Sequence, residues 1–269
     1  MGIESLKNKS IVLTGASGNL GRELAVRLAK AGACLSLAGM NNQNLIEISA
    51  KCRGLGARVM NVQTDLTKEE QCRKLIEETL KQHNGIDVLI NCAAYIEKKY
   101  FEELSDLKSL KKTLEVNYLG PVYCTKYALP YLKKNRGQIV TIVSILGKIS
   151  TPGNTAYCGS KFALVGFFDA LRLELKNSGV DVTLIYPGYL AERMKGQEAK
   201  KTNPVLNYIS SILMVKTQRC AKLILNAIVS RKRQVIIPSH WKIFIWINFL
   251  FPNLIGNMLG LLSKEKHQP

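Results

Sequence analysis

The chain has 269 residues, 46% of them apolar, and a mean hydropathy near zero (+0.01), so it is long enough for one domain with a sizeable core and should be mostly soluble. Its 38 Lys and Arg residues against 20 Asp and Glu residues give a net charge of +18, which attracts nucleic acid, anionic membranes or anionic ligands but says nothing about the fold. Seven cysteines without a C-x-x-C spacing, and only three histidines, argue against a disulfide scaffold, a zinc site or a histidine-based catalytic site.

Strand and helix patterns alternate along the chain. Apolar runs predict strands at residues 10–13, 34–38, 58–63, 87–91, 138–144 and 181–186. Helices are predicted at residues 22–31, 45–55, 68–83, 107–135 and 157–177, several of them ended by Gly or Asn. Because several strands are continuously apolar, we expect them to be buried on both faces, as in a parallel sheet covered by helices. The sequence therefore predicts an α/β fold with a single Rossmann-like, doubly wound parallel sheet, in a catalytic domain of residues 1–230.

A glycine-rich turn, residues 15–21, follows the first predicted strand and opens the first helix. Glycine lets the backbone turn tightly and approach a pyrophosphate closely. The N-terminus of the helix then offers free N–H groups and a partial positive charge to that anion. In this context the turn indicates a dinucleotide site, although a plain strand-to-helix turn would use the same residues.

The end of the second predicted strand bears on the choice of nicotinamide cofactor. A carboxylate there would hold the ribose 2′-hydroxyl of NAD, and an arginine would accept the 2′-phosphate of NADP. Residues 37–41 contain neither, and Arg22 follows the glycine turn closely, so we expect NADP(H) to be favoured over NAD(H). Asp65, after the third strand, is placed to accept a hydrogen bond from the adenine amino group or to cap a helix that begins at residue 66 or 67.

Tyr157 and Lys161 are four residues apart on a predicted helix and therefore lie on one face of it. A tyrosine hydroxyl has a reference pKa of ~10, and a nearby ammonium favours its ionised form. Tyr157 would then protonate the alkoxide that forms as hydride reaches a carbonyl, or deprotonate an alcohol in the reverse direction. A solvated helix face can carry the same pair by chance. The pair therefore indicates catalysis only in combination with other polar residues at the expected positions.

Ser144 and Asn117 are those neighbours. Ser144 ends the fifth predicted strand, at the carboxyl edge where α/β sheets bind ligands, and its hydroxyl can donate to a substrate oxygen. Asn117 lies inside the long predicted helix, where its amide is expected to break the local backbone pattern and hold a water.

Together these motifs resemble the classical short-chain dehydrogenase/reductase family over about residues 8–190. The resemblance rests on the glycine turn, Asp65, the stretch Asn91-Cys92-Ala93-Ala94, Asn117, Ser144, Tyr157, Lys161 and Pro187-Gly188. It implies a catalytic tetrad of Asn117, Ser144, Tyr157 and Lys161, and no metal. The cofactor contacts that it implies are Gly15, Ser17, Gly18, Asn19, Leu20, Gly21, Arg22, Asp65, Leu66, Asn91, Tyr157, Lys161, Pro187, Gly188 and Leu190.

Two stretches depart from the family pattern. Gly18-Asn19 gives the turn a spacing that is typical of extended family members, and Cys92 and Ala94 replace an Asn and a Gly. These changes bear on cofactor affinity and preference rather than on the chemistry, because no acid/base residue is missing.

The C-terminal segment, residues 231–269, changes character. Residues 241–262 are apolar and aromatic, but Lys242 and three asparagines interrupt them and Pro252 would break a helix midway. We expect an in-plane or hairpin membrane anchor through residues 240–262, with Trp241 and Trp246 near the headgroups and basic flanks that add ~1 kcal/mol per charge near anionic lipid. The alternatives are a tail folded onto the catalytic domain or into a dimer interface, and a single span.

With this tail, the pattern is similar to membrane-associated hydroxysteroid and retinol-type family members and to reductases of 3-keto-sphingoid bases. That resemblance implies hydride transfer between NAD(P) and a carbonyl or alcohol of an apolar, steroid-, retinoid- or lipid-like substrate, in a pocket shaped by residues 189–215. We expect a homodimer without a nucleic-acid partner. Because no secretory signal is visible, we expect the protein to be intracellular, either associated with a membrane or soluble in the cytoplasm. The alternative functions are a soluble carbonyl reductase of small polar metabolites and a non-catalytic cofactor-binding module.

Overall fold

A seven-stranded parallel sheet forms the centre of the molecule, which we describe from a computed structural model over residues 2–191, 214–253 and 256–257. The strands are β1 (Ser10–Thr14), β2 (Cys34–Gly39), β3 (Val59–Gln63), β4 (Val88–Asn91), β5 (Gln138–Ile142), β6 (Asp181–Pro187), β7 (Tyr189–Leu190), β8 (Met214–Val215) and β9 (Gln234–Ile237). The sheet has the order β3-β2-β1-β4-β5-β6-β9, and β7 pairs separately with β8. The predicted Rossmann-like, doubly wound parallel sheet is confirmed.

Helices cover both faces of the sheet. The described α-helices are α1 (Asn19–Lys30), α2 (Asn42–Gly54), α3 (Glu69–His83), α4 (Lys108–Leu114), α5 (Gly120–Lys134), α6 (Thr155–Glu174), α7 (Thr217–Val229) and α8 (Trp241–Leu250). Apolar residues of α1, α2 and α7 pack in one core cluster, and those of α3, α5 and α6 pack in another. The inner strands β1, β4 and β5 are buried along their whole length because both of their faces are covered in this way, whereas the edge strands β3 and β9 are only partly buried.

Strand β1 illustrates how the two core layers arise. All five of its residues are buried. Ile11 and Leu13 belong to the cluster with α1, α2 and α7, whereas Val12 belongs to the cluster on the opposite face. Successive side chains of a strand point to opposite faces, so one apolar run supplies both layers.

Several predicted element boundaries differ from those of the structure. Helix α1 begins at Asn19 rather than at residue 22, so the end of the glycine turn is already the first helical turn. The helix predicted over residues 107–135 is divided by a π-helical turn at Glu115–Leu119. Strand β9, at Gln234–Ile237, pairs with β6, so the sheet extends past the predicted domain boundary at residue 230.

Candidate active site

The glycine turn after β1 is packed tightly against the segment that follows β4. Gly15 has a φ of +69°, and a Cβ on it would lie 2.6 Å from the Ala93 Cα atom. A Cβ on Gly21 would lie 2.1 Å from the Gly15 carbonyl oxygen. Both positions therefore require glycine, and they bring a helix N-terminus to the point where the strand order reverses between β1 and β4.

The remaining residues of the turn are arranged for backbone rather than side-chain recognition. Gly18 and Asn19 are exposed at its tip, and Leu20 is buried. The Gly18 N–H donates to the Gly15 carbonyl (3.0 Å), and within the described part of the chain no side chain caps the helix that begins at Asn19. The first N–H groups of α1 are thus without a side-chain cap, as an anion site at a helix N-terminus requires.

Arg22 links the turn to α2. Its guanidinium donates to the Ser17 carbonyl (3.2 Å), to Asn44 Oδ1 (2.9 Å) and to Glu47 Oε2 (3.0 Å). Glu47 was not predicted as a site residue, because nothing in the local pattern links it to a residue 25 positions earlier. Its carboxylate partly neutralises the charge that Arg22 would offer to a 2′-phosphate.

Asp65 and Leu66 lie after β3 with different roles. Asp65 Oδ1 accepts hydrogen bonds from the Thr67 N–H (3.0 Å) and the Thr67 hydroxyl (2.9 Å), which closes a local turn. The alternative prediction that Asp65 caps a helix beginning at residue 66 or 67 is wrong, because α3 begins at Glu69. The Leu66 side chain is buried in the core.

Thr14 is the last residue of β1, and Asn91 is the last residue of β4. Their side chains make hydrogen bonds that hold the end of β4 and the segment that follows it. Thr14 Oγ1 accepts hydrogen bonds from the N–H groups of Cys92 (3.1 Å) and Ala93 (3.4 Å), a role that no local sequence pattern indicates. The amide nitrogen of Asn91 donates to the hydroxyls of Thr125 and Thr141. Asn91 Oδ1 is buried and has no donor among the described residues. This orphaned acceptor and the glycine cradle both fit a dinucleotide that runs along this edge.

Tyr157 and Lys161 lie together in the first turns of α6. Both are buried, with 7% and 1% of their surface exposed. Lys161 Nζ lies 5.6 Å from the centroid of the Tyr157 ring and donates to the Ile142 carbonyl at the end of β5 (3.0 Å). The predicted placement of an ammonium next to the phenol ring is therefore present in the structure, in a site from which most water is excluded.

Asn117 is at the centre of the π-helical turn and is fully buried. Its amide makes both hydrogen bonds to the Tyr95 backbone, accepting from the N–H (2.7 Å) and donating to the carbonyl (2.8 Å), and it also donates to Ser160 Oγ (3.1 Å). Ser160 Oγ in turn donates to the Tyr157 carbonyl (2.7 Å). The Asn117 side chain thus ties the segment after β4 to the helix that carries Tyr157. Ser160 was missed by sequence reasoning.

Ser144 follows β5 at the same edge of the sheet. Its Oγ accepts the Leu146 N–H (3.1 Å), which caps a short 3₁₀ turn at Ile145–Gly147. Ile145 and Leu146, the next two residues, pack in one apolar cluster with Tyr157, so Ser144 begins the turn that contributes to this cluster. Because this backbone contact uses Oγ only as an acceptor, the hydroxyl hydrogen remains suited to donation toward a substrate oxygen.

The other predicted cofactor contacts lie where β6 ends. Pro187 pairs with Ile237 of β9, and the Gly188 N–H donates to the Ile237 carbonyl (2.6 Å). Leu190, in β7, pairs with Val215. Residues 192–213 of the predicted substrate loop lie outside the described residues.

Two cysteines, Cys92 and Cys158, border the site, and their buried surroundings keep both thiols protonated. Burial raises the pKa of the Cys92 thiol to about 12, although the Lys161 ammonium acts in the opposite direction. Burial also raises the pKa of Cys158. Both thiols are therefore neutral near pH 7, and the thiolate is the nucleophilic form.

Helix α8 in the C-terminal segment has two different faces. Trp241 is buried in the cluster that contains Tyr157, with Phe244 and Ile245 partly buried against it. Trp246 and Phe249 are 64% and 73% exposed. Among the described residues, no helix has both the length and the apolar character needed to span a bilayer.

Comparison with known proteins agrees with the geometry. The short chain dehydrogenase family model matches residues 9–203, which is more than half of the chain. The chain therefore belongs to the short-chain dehydrogenase family and is an oxidoreductase with a nicotinamide-binding fold.

The individual relatives give a narrower comparison. The protein is 31% identical to 11-beta-hydroxysteroid dehydrogenase-like 4A of Arabidopsis thaliana, over 98% of this chain and 85% of that protein. It is also 31% identical to 11-beta-hydroxysteroid dehydrogenase A of Sesamum indicum, over 96% of this chain and 76% of that protein. The predicted resemblance to hydroxysteroid-type members is confirmed by these relatives.

A solved structure supports the fold. The crystal structure of a short chain dehydrogenase/reductase from Burkholderia phymatum in complex with NAD aligns with a TM-score of 0.80 at 23% sequence identity. The alignment covers 93% of this chain and 95% of that chain.

Proposed function

We propose that the protein transfers a hydride between NADP(H) and the carbonyl or hydroxyl carbon of an apolar substrate. The observation that carries the proposal is the buried Tyr157–Lys161 pair, which lies at the same sheet edge as the glycine cradle and is surrounded by apolar side chains. An apolar surround around one acid/base group favours a substrate whose only polar atom in the site is the reacting oxygen.

The chain's own residues divide the chemistry. The nicotinamide cofactor, when bound, supplies or accepts the hydride. In the reductive direction, Tyr157 Oη gives its proton to the substrate oxygen, and the Lys161 ammonium stabilises the phenolate left behind. The Ser144 hydroxyl donates a hydrogen bond to the same oxygen and stabilises the charge that develops on it. Asn117 and Ser160 hold the backbone of the tyrosine helix in position.

The proposal is tested by turnover of a ketone panel ranked by lipophilicity, with NADPH and NADH, by the full-length protein. We expect kcat/KM to rise with lipophilicity. A preference for small polar ketones would favour the alternative, a soluble carbonyl reductase. Cofactor binding without turnover of any substrate would favour a non-catalytic binding module.

Two features support the proposed preference for NADP(H): the lack of a carboxylate at the end of β2 and the position of Arg22. The residues there, Gly39, Met40 and Asn41, carry no carboxylate that would repel a 2′-phosphate. Arg22 lies between the glycine turn and α2. We expect its contribution to NADP(H) affinity to be moderate, because Glu47 competes with the 2′-phosphate for its guanidinium.

Association with a membrane surface is supported by the outer face of α8. Ile243, Trp246, Phe249, Leu250 and Phe251 are each at least 60% exposed, and an exposed aromatic cluster of this kind suits a headgroup interface. The net charge of +18 favours anionic lipid. We expect full-length protein to co-sediment with anionic vesicles and an Ile243→Glu, Phe249→Glu variant to stay in the supernatant; equal sedimentation would refute the proposal.

A homodimer is supported by an uncharged stripe on α6, formed by Gly159, Phe162, Gly166, Ala170 and Leu173. These residues are exposed, and a Cβ on Gly159 or Gly166 would meet no atom of the residues that the structure describes within 4 Å. The stripe is symmetric about Gly166, so an antiparallel second copy would place Phe162 opposite Ala170 and Leu173 opposite Gly159, large against small. We expect light scattering to give a dimer mass, and Gly166→Glu to give a monomer; a monomeric wild-type protein would contradict this.

A further inference from the structure

The apolar cluster around Tyr157 includes a residue from far along the chain. Its buried members are Ile145, Leu146, Ile149, Tyr157, Cys158 and Trp241. Four of the five other buried members lie within about a dozen residues of Tyr157 in the chain, but Trp241 comes from α8. Only 5% of the Trp241 surface is exposed. The C-terminal segment therefore contributes directly to the surroundings of the acid/base residue.

Trp241 is held in place by aromatic neighbours and by the sheet. Its ring centroid lies 6.3 Å from that of Tyr189, directly after β6, and 5.6 Å from that of Phe244. The backbone N–H of Trp241 donates to the Pro238 carbonyl (3.3 Å), just after β9. Because β9 is a paired strand of the main sheet, this bond ties the first residue of α8 to the sheet.

The position of α8 divides its two tryptophans between two environments. Trp241 faces the Tyr157 cluster, whereas Trp246, one and a half turns later, is 64% exposed and packs edge-on against Phe249. Phe244 and Ile245 lie on the inner side, partly buried against the same cluster as Trp241. One helix thus presents a wall toward the acid/base residue and a separate apolar face to the outside.

We propose that Tyr189, Trp241 and Phe244 form the wall against which the apolar body of the substrate packs, so that α8 determines substrate size. The inference rests on the proposed function and deepens it. A ketone whose oxygen meets Tyr157 would extend its apolar part along this aromatic wall, where buried area stabilises it in proportion to its length. Trp241 is then a specificity-determining residue supplied by the C-terminal segment.

The test uses a homologous series of cyclohexanones with 4-alkyl chains of one to eight carbons, NADPH, and full-length protein without lipid. For wild type, we expect kcat/KM to rise with chain length. In Trp241→Ala, the eight-carbon to one-carbon ratio should fall at least tenfold. The matched control Trp246→Ala removes the same side chain from the outer face of the same helix and should change both kcat/KM values by one common factor.

Two further variants keep the test decisive if Trp241→Ala does not fold. Trp241→Phe and Phe244→Ala are smaller changes in the same wall, and each should lower the ratio threefold or more while the thermal melting curve stays cooperative. If the folded wall variants keep the wild-type ratio of kcat/KM between the eight-carbon and one-carbon substrates, the proposed role of α8 is wrong, while the proposed function still stands. Absence of ketone turnover by the wild-type protein would instead overturn the proposed function itself.

Discussion

The two ends of the candidate active site, the glycine turn and the surroundings of Tyr157, are built in different ways. The cofactor end depends on backbone geometry within short stretches: the turn after β1, the first turn of α1 and the segment after β4. The tyrosine end combines side chains from the segment after β5, α6, the π-helical turn, β7 and α8. A local motif can therefore specify cofactor binding, whereas catalysis and substrate choice depend on long-range packing. We expect variants at the tyrosine end to change kcat, and variants at the cofactor end to change stability or the dissociation constant of the cofactor.

Apart from substitution of Tyr157 itself, the largest of the effects that separate the two ends is expected for Ser144→Ala. The change removes the hydroxyl that we propose as donor to the reacting oxygen but leaves the glycine turn intact. We expect kcat to fall about a hundredfold, as for loss of one oxyanion donor. The dissociation constant of NADPH, measured by fluorescence, should stay within twofold of the wild-type value; a matching loss of cofactor affinity would mean that the two ends are not separable.

At the cofactor end, Gly21→Ala should reduce the stability of the free protein. The new Cβ would lie 2.1 Å from the Gly15 carbonyl oxygen, so the turn must shift. Overpacking of this kind costs about 1–3 kcal/mol, and Tm falls roughly 2–4 °C per kcal/mol in chains of 150–250 residues. The control is Gly18→Ala, whose Cβ would lie at an ordinary 3.4 Å from the same oxygen. Equal melting temperatures for the two variants would show that the turn tolerates the shift.

The smallest effect is expected for Arg22→Ala, which should raise the dissociation constant of NADP(H) about tenfold and leave that of NAD(H) within twofold. This factor corresponds to ~1.4 kcal/mol, the size of one partly exposed charge contact. Glu47→Gln should act in the opposite direction, because it frees the guanidinium. Lys30→Ala removes a positive charge from the far end of α1 and serves as the control. Parallel losses for both cofactors would contradict the assignment of Arg22 to a 2′-phosphate.

Much of this fold was predictable because its signals are local. The buried runs of β1, β4 and β5 are continuously apolar, and the glycines after β1 stand where backbone approaches backbone. The Tyr157–Lys161 spacing places both residues on one helix face, and the structure brings them together. By contrast, α7 and β9 were missed because basic residues such as Lys222, Arg231 and Arg233 surround their apolar positions and look like a solvated charge run.

The parts that escaped prediction are contacts between distant segments. Thr14 bridges to the segment after β4, Ser160 joins the tyrosine helix to Asn117, and Glu47 pairs with Arg22. The composition predicts that Trp241 lies near the headgroups, yet the structure buries it in the same apolar cluster as Tyr157, because the end of β9 determines where α8 begins. No local pattern encodes these neighbours, because each depends on the register and order of the strands.

Tyr157→Phe gives the most direct test of the central claim that this phenol is the proton donor. The substitution removes only the hydroxyl and keeps the ring in its apolar cluster. Stopped-flow oxidation of NADPH with the best ketone should slow by about 10²–10⁴-fold, the usual contribution of a general acid, while NADPH binding stays at the wild-type value. Hydride transfer within tenfold of the wild-type rate, with cofactor binding intact, would contradict the account.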